Sequence, residues 1–386
     1  MVLLSKVGKS LVRNLPEITA FVTGQMPAFM YGKRKFSDIP VFCFHDVLPD
    51  PFERQLRFLR ANGYVGLDST ELDARLNDPA YRNDGKEIVL TFDDGLISLW
   101  TVAFPLLQKF GVKAIAFVLP GMTTEAGEAS PRLCSWQQIR MMHQSDRVDF
   151  QSHGMVHPMI AVGPEIVDFV HPGSGSDYYG IPQLPFYGDG TTQGDDRTPV
   201  PGHPIYRHAS RYSGKLRYFD DPGLREACAE FVRRQGPEFF SRNDWRHRLT
   251  RVVAEFKATH ALVERLENVH ERDHAIRYEL GESKRLLELN LPGKPIRHFC
   301  NPWYVGSALM ARMAGEAGYS ALHLGASPGF VYHRDDTDLK LILRLQGEYL
   351  MALPGRGRTG MRGVFSEKLQ SSRRRKTLPS TVTRQA

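Results

Sequence analysis

Seven short apolar runs recur along the chain: Pro40–Phe44, Ile88–Phe92, Ala114–Leu119, Val148–Gln151, Ile296–Cys300, Tyr319–Leu322 and Leu339–Leu345. Their lengths and flanks predict buried strands. Helical patterns alternate with them. Phe52–Asn62 carries Leu56, Phe58 and Leu59 and stops at Gly63, a glycine suited to a helix C-cap. Leu96–Phe110 gathers Leu99, Val102, Ala103, Leu106 and Leu107 on one broad face and stops at Gly111. Trp136–His143 follows Ser135, suited to an N-cap, and Ala308–Ala317 stops at Gly318. Strands alternating with helices predict a parallel sheet, open or closed. About seven of them over residues 36–350 favour a single α/β barrel, distorted or incomplete, over two domains.

Residues 159–248 break the rhythm. They are rich in Gly, Pro, Asp and Tyr and too long for an ordinary connection. Because they start just after His157, they are expected to form a long loop insertion that covers the site as a lid or substrate-binding loop. Residues 249–290 then read as strongly helical, and the Gly/Arg-rich, then Ser/Thr-rich tail from Pro354 reads as disordered. The expected organisation is a basic segment over 1–35, a barrel over 36–353 and a basic tail over 354–386.

Composition changes this little. Of 386 residues, 41% are apolar and 24% charged, as in an ordinary globular chain. The formal charge of +7 suggests nucleic acid or membrane until it is located. The tail carries +8 and the first 35 residues +5, which leaves the body at −6. The basic termini suit peripheral contact with an acidic membrane surface, and no specific nucleic acid is expected. Cys43, Cys134, Cys228 and Cys300 show no paired spacing, so neither a disulfide framework nor a structural zinc site is expected. No apolar run reaches the length of a membrane span, and the broken apolar region Leu15–Met30 makes a poor secretory signal. A cytoplasmic location, or one peripheral to the cytoplasmic membrane, is the resulting expectation.

Two short stretches carry the chemistry. In Thr91-Phe92-Asp93-Asp94-Gly95, two adjacent carboxylates end an apolar strand, where barrel enzymes build their sites. Burying both without a cation is costly, and a metal would offset that cost. In Ser152-His153-Gly154-Met155-Val156-His157-Pro158, two imidazoles lie four residues apart after another strand, in a stretch whose Gly and Pro argue for a shaped loop. One carboxylate with two neutral imidazoles is a common open ligand set for a divalent metal, and a second carboxylate is a ready base for water. The residues alone leave open which aspartate does which, or whether the pair simply caps the helix near Leu96.

These motifs resemble those of the NodB-type polysaccharide deacetylases, a family of metal-dependent carbohydrate esterases. Thr91–Gly95 matches the family's TFDDG motif and His153–His157 its HxxxH motif. The entry segment Val41-Phe42-Cys43-Phe44-His45-Asp46-Val47 resembles the opening of the exopolysaccharide-deacetylase branch, and Phe299-Cys300-Asn301-Pro302-Trp303 the approach to its third motif. The resemblance spans roughly residues 39–350. It implies Asp93 as catalytic base, and Asp94, His153 and His157 as ligands of one divalent metal. Zn is the leading candidate, with other transition metals open. It implies hydrolysis of N-acetyl groups on an amino-sugar-containing glycan. Substrate and oxyanion contacts fall on His45, Pro302 and Trp303, a main-chain N–H near Trp303 serving the oxyanion.

The chain departs from the family in two places. The third motif commonly places an arginine where this chain has Cys300, so the arginine that steadies the catalytic aspartate is missing there. The late Leu-His-Asp motif is represented only by Leu322-His323-Leu324. These departures keep two alternatives alive: a catalytically altered relative that binds glycan, and an amide or ester hydrolase acting on a lipid-linked sugar at the membrane surface.

Overall fold

The computed structural model describes residues 27–31, 39–125, 132–174, 184–185, 200–325, 339–360 and 363–364. In the first half of the chain lie β1 (Val41–Phe44), β2 (Val65–Gly66), β3 (Glu87–Phe92), β4 (Ala114–Val118) and β5 (Val148–Ser152). A second group follows, comprising β6 (Met159–Phe169), β7 (Pro204–Ser210), β8 (Tyr218–Phe219) and β9 (Arg265–Leu266). The last strands are β10 (His298–Cys300), β11 (Ala321–Gly325) and β12 (Lys340–Gln346). The strand order β1-β12-β11-β10-β5-β4-β3 closes on itself through a β1–β3 pairing, and β2 adds a short pairing at the start of β3. Every neighbouring pair in this sheet is parallel. All seven apolar runs are barrel strands, and the barrel is closed.

Strand alternation divides the core in two. Phe42, Ile88, Leu90, Phe92, Ala114, Ala116, Phe150, Phe299 and Leu322 face outward into the main cluster, beneath the helices. Val41, Val89, Ile115, Phe117, Cys300, Ala321 and Ile342 face inward, with Leu67 and Leu72 closing the lower end. The same inward parity carries Asp93 at the end of β3, His153 just past β5 and Arg344 on β12.

The outer layer contains α1 (Pro49–Ala61), α2 (Ser69–Asn77), α3 (Phe104–Phe110), α4 (Trp136–Gln144), α5 (Pro222–Gln235), α6 (Trp245–Thr259), α7 (Val269–Asn290) and α8 (Ala308–Glu316). The expected boundaries have physical stops. Ser135 accepts from Gln138 N–H in a capping box, and Gly111 ends α3 in the left-handed conformation at φ 67°. A five-residue π-helical stretch, Leu99–Ala103, leads into α3. The helical reading of 249–290 needs correction: α6 and α7 are separate, and β9 lies between them.

The expected loop insertion also needs correction. Within 159–248, β6 and β7 form an antiparallel ribbon, and Leu224, Cys228, Val232, Phe239, Trp245, Leu249 and Val253 of α5, α6 and their link pack with Phe169 in a core of their own. The ribbon leaves just after His157 and comes back beside it, where Arg211 N–H donates to Pro158 O at 3.0 Å. Apolar residues scattered through a Gly- and Asp-rich stretch hid this unit from a periodicity reading. The run 172–180 that suggested a lid lies largely outside the described residues.

Segments at both ends join the barrel. Phe29 and Met30 are buried in the main core, as are Leu353 and Val364. Arg358 donates to Ala352 O and Phe29 O, tying the start of the basic tail to the N-terminal segment. Residues 1–26 and 365–386, most of the two basic termini, lie outside the described residues. Among the described residues no helix is long and apolar enough to cross a membrane.

Candidate active site

The C-terminal ends of β3 and β5 and the segment after β10 converge at one mouth of the barrel. Asp93 and Asp94 follow directly from β3, and their side chains are 2% and 4% exposed. Asp94 has φ 71° and Gly95 φ 70°, so the chain turns sharply and the two carboxylates diverge in role. Asp94 is one of five described non-glycine residues with positive φ. Of the others, His157, Trp303 and Tyr304 also line this mouth, and Asp146 does not. Left-handed backbone at non-glycine residues costs on the order of 1–3 kcal/mol each, and such strain concentrates at functional sites.

The ligand atoms of Asp94, His153 and His157 all lie within 4.8 Å of one another. Asp94 Oδ1 is 3.3 Å from His153 Nε2 and 3.9 Å from His157 Nε2. This set fits a divalent cation on two further counts. Asp94 Oδ1 is buried with no hydrogen-bond partner among the described residues, which is costly for a carboxylate unless a cation faces it. His153 Nδ1 is 2.8 Å from Cys300 O, so the proton sits on Nδ1 and the Nε2 lone pair turns toward Asp94. Burial, reinforced by His153, pushes His157 down to about 3, which keeps its imidazole neutral and able to ligate.

The loop that carries the two histidines is held from outside the barrel. Glu279 of α7, 4% exposed, accepts from Met155 N–H at 2.9 Å and from Tyr212 Oη–H at 3.0 Å. Gly154 has φ 84°, and a Cβ there would lie 2.2 Å from Tyr212 Oη. Glycine is therefore required at this point in the loop.

Asp93 sits in a different environment. Arg344 donates to both its oxygens, Nη1 to Oδ1 at 2.6 Å and Nη2 to Oδ2 at 2.9 Å, and to Thr91 Oγ1 at 3.1 Å. Both members of this fork are almost fully buried. Burial is the largest influence and works to raise the Asp93 carboxyl, but the charge and hydrogen bonds of Arg344, with His153 and His45, together outweigh it and hold the group far below the usual carboxylate range. The arginine judged missing at Cys300 is thus supplied from β12. Two thiols complete the surroundings: Cys43 Sγ lies 3.4 Å and Cys300 Sγ 3.7 Å from Asp93 Oδ2. Burial pushes both thiols up, so they remain protonated donors, and all four cysteines are free and buried.

The remaining expected residues surround this centre. His45 is partly exposed, its Nε2 3.8 Å from Asp93 Oδ2. Pro302 is buried, and Trp303 packs edge-on against His157 with centroids 4.5 Å apart. The Trp303 indole N–H is buried without a hydrogen-bond partner among the described residues. Tyr304, which the sequence reading passed over, places its hydroxyl 3.2 Å from Cys43 Sγ. His323 is not at the mouth. It lies inside the barrel, fully buried and 3.0 Å from His298.

At the C-terminal mouth of this parallel barrel, a carboxylate and two imidazoles could hold one divalent metal beside a second carboxylate, an arrangement suited to hydrolysis. The profile of the polysaccharide deacetylase family matches residues 80–166, a stretch that includes all four of these side chains. Over that stretch the chain is similar to the polysaccharide deacetylases. It is 29% identical over 93 residues to YxkH of Bacillus subtilis (strain 168), a protein named after the polysaccharide deacetylases; the match covers 22% of this chain and 33% of that protein. It is 27% identical over 124 residues to the poly-beta-1,6-N-acetyl-D-glucosamine N-deacetylase of Escherichia coli (strain K12), covering 28% of this chain and 18% of the relative. The matches therefore span a third or less of these relatives. Among solved structures, a de-N-acetylase from Aggregatibacter actinomycetemcomitans aligns over 84% of this chain and 99% of its own, at 14% identity and a TM-score of 0.46.

Proposed function

We propose that this protein is a metal-dependent carbohydrate deacetylase that hydrolyses N-acetyl groups on an amino-sugar-containing glycan. The observation that carries this reading is the separation of two adjacent aspartates into two environments. Asp94 faces two imidazoles, and Asp93 faces a guanidinium. Asp94 Oδ1, His153 Nε2 and His157 Nε2 would hold the metal, with Zn as the leading candidate for a carboxylate and two imidazoles. When bound, a divalent ion supplies Lewis-acid polarisation of the acetyl carbonyl and a more acidic water.

The chain's own groups do the rest. Asp93 takes the proton of the attacking water, and Arg344 keeps it ionised and oriented for that step. The turn at Pro302–Trp303 offers main-chain N–H to the developing oxyanion, and the Trp303 indole N–H is a further donor at the same mouth. His45, partly exposed beside Asp93, is placed to return a proton to the leaving amine. The polysaccharide-deacetylase match over residues 80–166 and the N-deacetylase named among the relatives support a glycan amide as substrate.

The test combines two measurements on the purified protein: metal content, and acetate release from a panel of N-acetylated oligosaccharides. Near-stoichiometric metal with release that is lost in Asp93→Asn supports the reading. Stoichiometric metal with no release from any substrate would instead leave a glycan-binding relative on the same barrel.

A further inference from the structure

The barrel interior holds a second line of polar side chains that the proposed reaction does not use. Asp73 of α2 lies at the end of the barrel opposite Asp93, beside the first residue of β10. Its Oδ1 is 3.0 Å from His298 Nε2, and its Oδ2 is 3.4 Å from the Ser320 hydroxyl. His298 Nδ1 in turn lies 3.0 Å from His323 Nε2, and both rings are fully buried. Beyond His323 the line stops at a gap. His323 Nδ1 and Arg344 Nε are both buried with no hydrogen-bond partner among the described residues. They sit on adjacent strands, β11 and β12, and share one neighbour. The Phe117 ring centroid lies 4.6 Å from the His323 ring centroid and 5.6 Å from the Arg344 guanidinium carbon.

The proton inventory makes the two orphans complementary. Desolvation is the largest influence and works to raise the Asp73 carboxyl, but His298, Lys340 and Ser320 together outweigh it and hold the group below its ordinary range. An ionised carboxylate only accepts, so His298 carries its proton on Nε2. With one proton on each ring, His298 Nδ1 accepts from His323 Nε2–H, and His323 Nδ1 is left as an acceptor. Arg344 Nε–H only donates. Buried polar atoms are nearly always paired, and an internal water is the usual way to join two that do not touch.

We propose that Asp73, His298 and His323 form a positioning chain through the barrel. One water between His323 Nδ1 and Arg344 Nε–H ends that chain on the guanidinium that holds Asp93. Asp73 sets the direction of every bond in the chain. Arg344 is thereby fixed at its Nε as well as at its two terminal nitrogens, and the Asp93 carboxylate is held at one angle to the mouth. None of the three residues touches substrate. The kinetic consequence rests on the deacetylase reading; the bond directions do not.

The experiment is 15N NMR of the imidazoles together with steady-state acetate release, on wild type, Asp73→Ala and Asp73→Glu. In wild type both His298 and His323 carry the proton on Nε2. Removal of the Asp73 acceptor populates the Nδ1–H form at both rings together, and Glu restores the wild-type pattern. In Asp73→Ala kcat falls about tenfold with KM and metal content unchanged, and Glu recovers it. A wild-type spectrum with His323 protonated on Nδ1 overturns the proposal, as does a His323 spectrum that ignores Asp73. A lowered unfolding midpoint with unchanged kcat overturns it too, because that is what a purely structural contact would give. The spectra need no substrate. A wild-type protein that releases no acetate therefore counts against the deacetylase reading and leaves the chain tested.

Discussion

Replacing Arg344 by Met is the most searching perturbation of this site. Methionine keeps an apolar stem but removes the charged guanidinium that faces the Phe117 and Tyr304 rings. Asp93, 2% exposed, then loses both hydrogen bonds of the fork and keeps the weak thiol donors Cys43 and Cys300, with His45 3.8 Å away. Breaking a buried pair by removing one partner costs about 3–5 kcal/mol, because the other charge stays buried and uncompensated. The sign of the pH dependence follows. In wild type the folded-state pKa of Asp93 lies far below its ordinary 3.8, so its contribution to stability persists down to strongly acid pH. In Arg344→Met burial loses its strongest opponent and outweighs the remaining pull of His153 and His45, so the folded-state pKa is expected to rise above the unfolded one. The deficit is then fully present at neutral pH and shrinks as pH falls toward about 4, where the native carboxyl takes up a proton before the unfolded one does. Denaturant unfolding with a chelator present throughout, at pH 7 and pH 5, measures both effects. Adding Asp93→Asn removes the stranded charge and recovers part of the loss, giving a favourable coupling in the double-mutant cycle. A single-variant loss below about 1 kcal/mol, or a double variant weaker than Arg344→Met alone, would refute the claim that the fork compensates a buried charge.

Three further outcomes follow from the same geometry. His153→Ala and His157→Ala each lower metal affinity, whereas Asp93→Asn leaves it unchanged; full metal occupancy in both histidine variants would remove the ligand assignment. Gly154→Ala forces a Cβ against Tyr212 Oη at positive φ, and Glu279→Gln weakens the bond to Met155 N–H. Both are expected to lower metal affinity by roughly tenfold or more, read by competition with a chromophoric chelator, and unchanged affinity would mean the outer scaffold does not tune the loop. If the basic termini bind acidic membrane, sedimentation with anionic vesicles falls steeply between low and physiological salt; neutral and anionic vesicles behaving alike would end that reading.

The barrel was legible in the sequence because a buried parallel strand is apolar on both faces, and seven such runs stand out against polar surroundings. Asp93, Asp94, His153 and His157 were legible because each pair is local, compressed into a few residues after a strand. What escaped was assembled across distance. Arg344 lies 251 residues from Asp93, in a strand whose other buried inward residue, Ile342, gives no hint of polarity. The available signal was parity: a lone arginine at an inward position of Leu339–Leu345 needs a buried anion. The insertion escaped for another reason. Its core residues belong to a ribbon and two helices interrupted by turn-forming sequence, so neither period is sustained long enough to read.

The move of the arginine from one strand to another has a simple geometric basis. Inward residues of a closed barrel form layers, and a carboxylate at the end of β3 is within reach of inward side chains from several strands. Cys300 of β10, where the family resemblance led us to look for the arginine, does reach Asp93: its sulfur is 3.7 Å from Oδ2. Arg344 of β12 reaches the same carboxylate from another side of the layer. Two guanidiniums there would crowd one carboxylate and leave an unpaired buried cation, so a small neutral side chain at 300 and a cation at 344 are mutually required. What matters at this site is that one buried cation faces Asp93, and inward positions of more than one strand reach that carboxylate. A departure from a linear motif is therefore weak evidence for lost function until the inward positions of every strand in the layer have been checked.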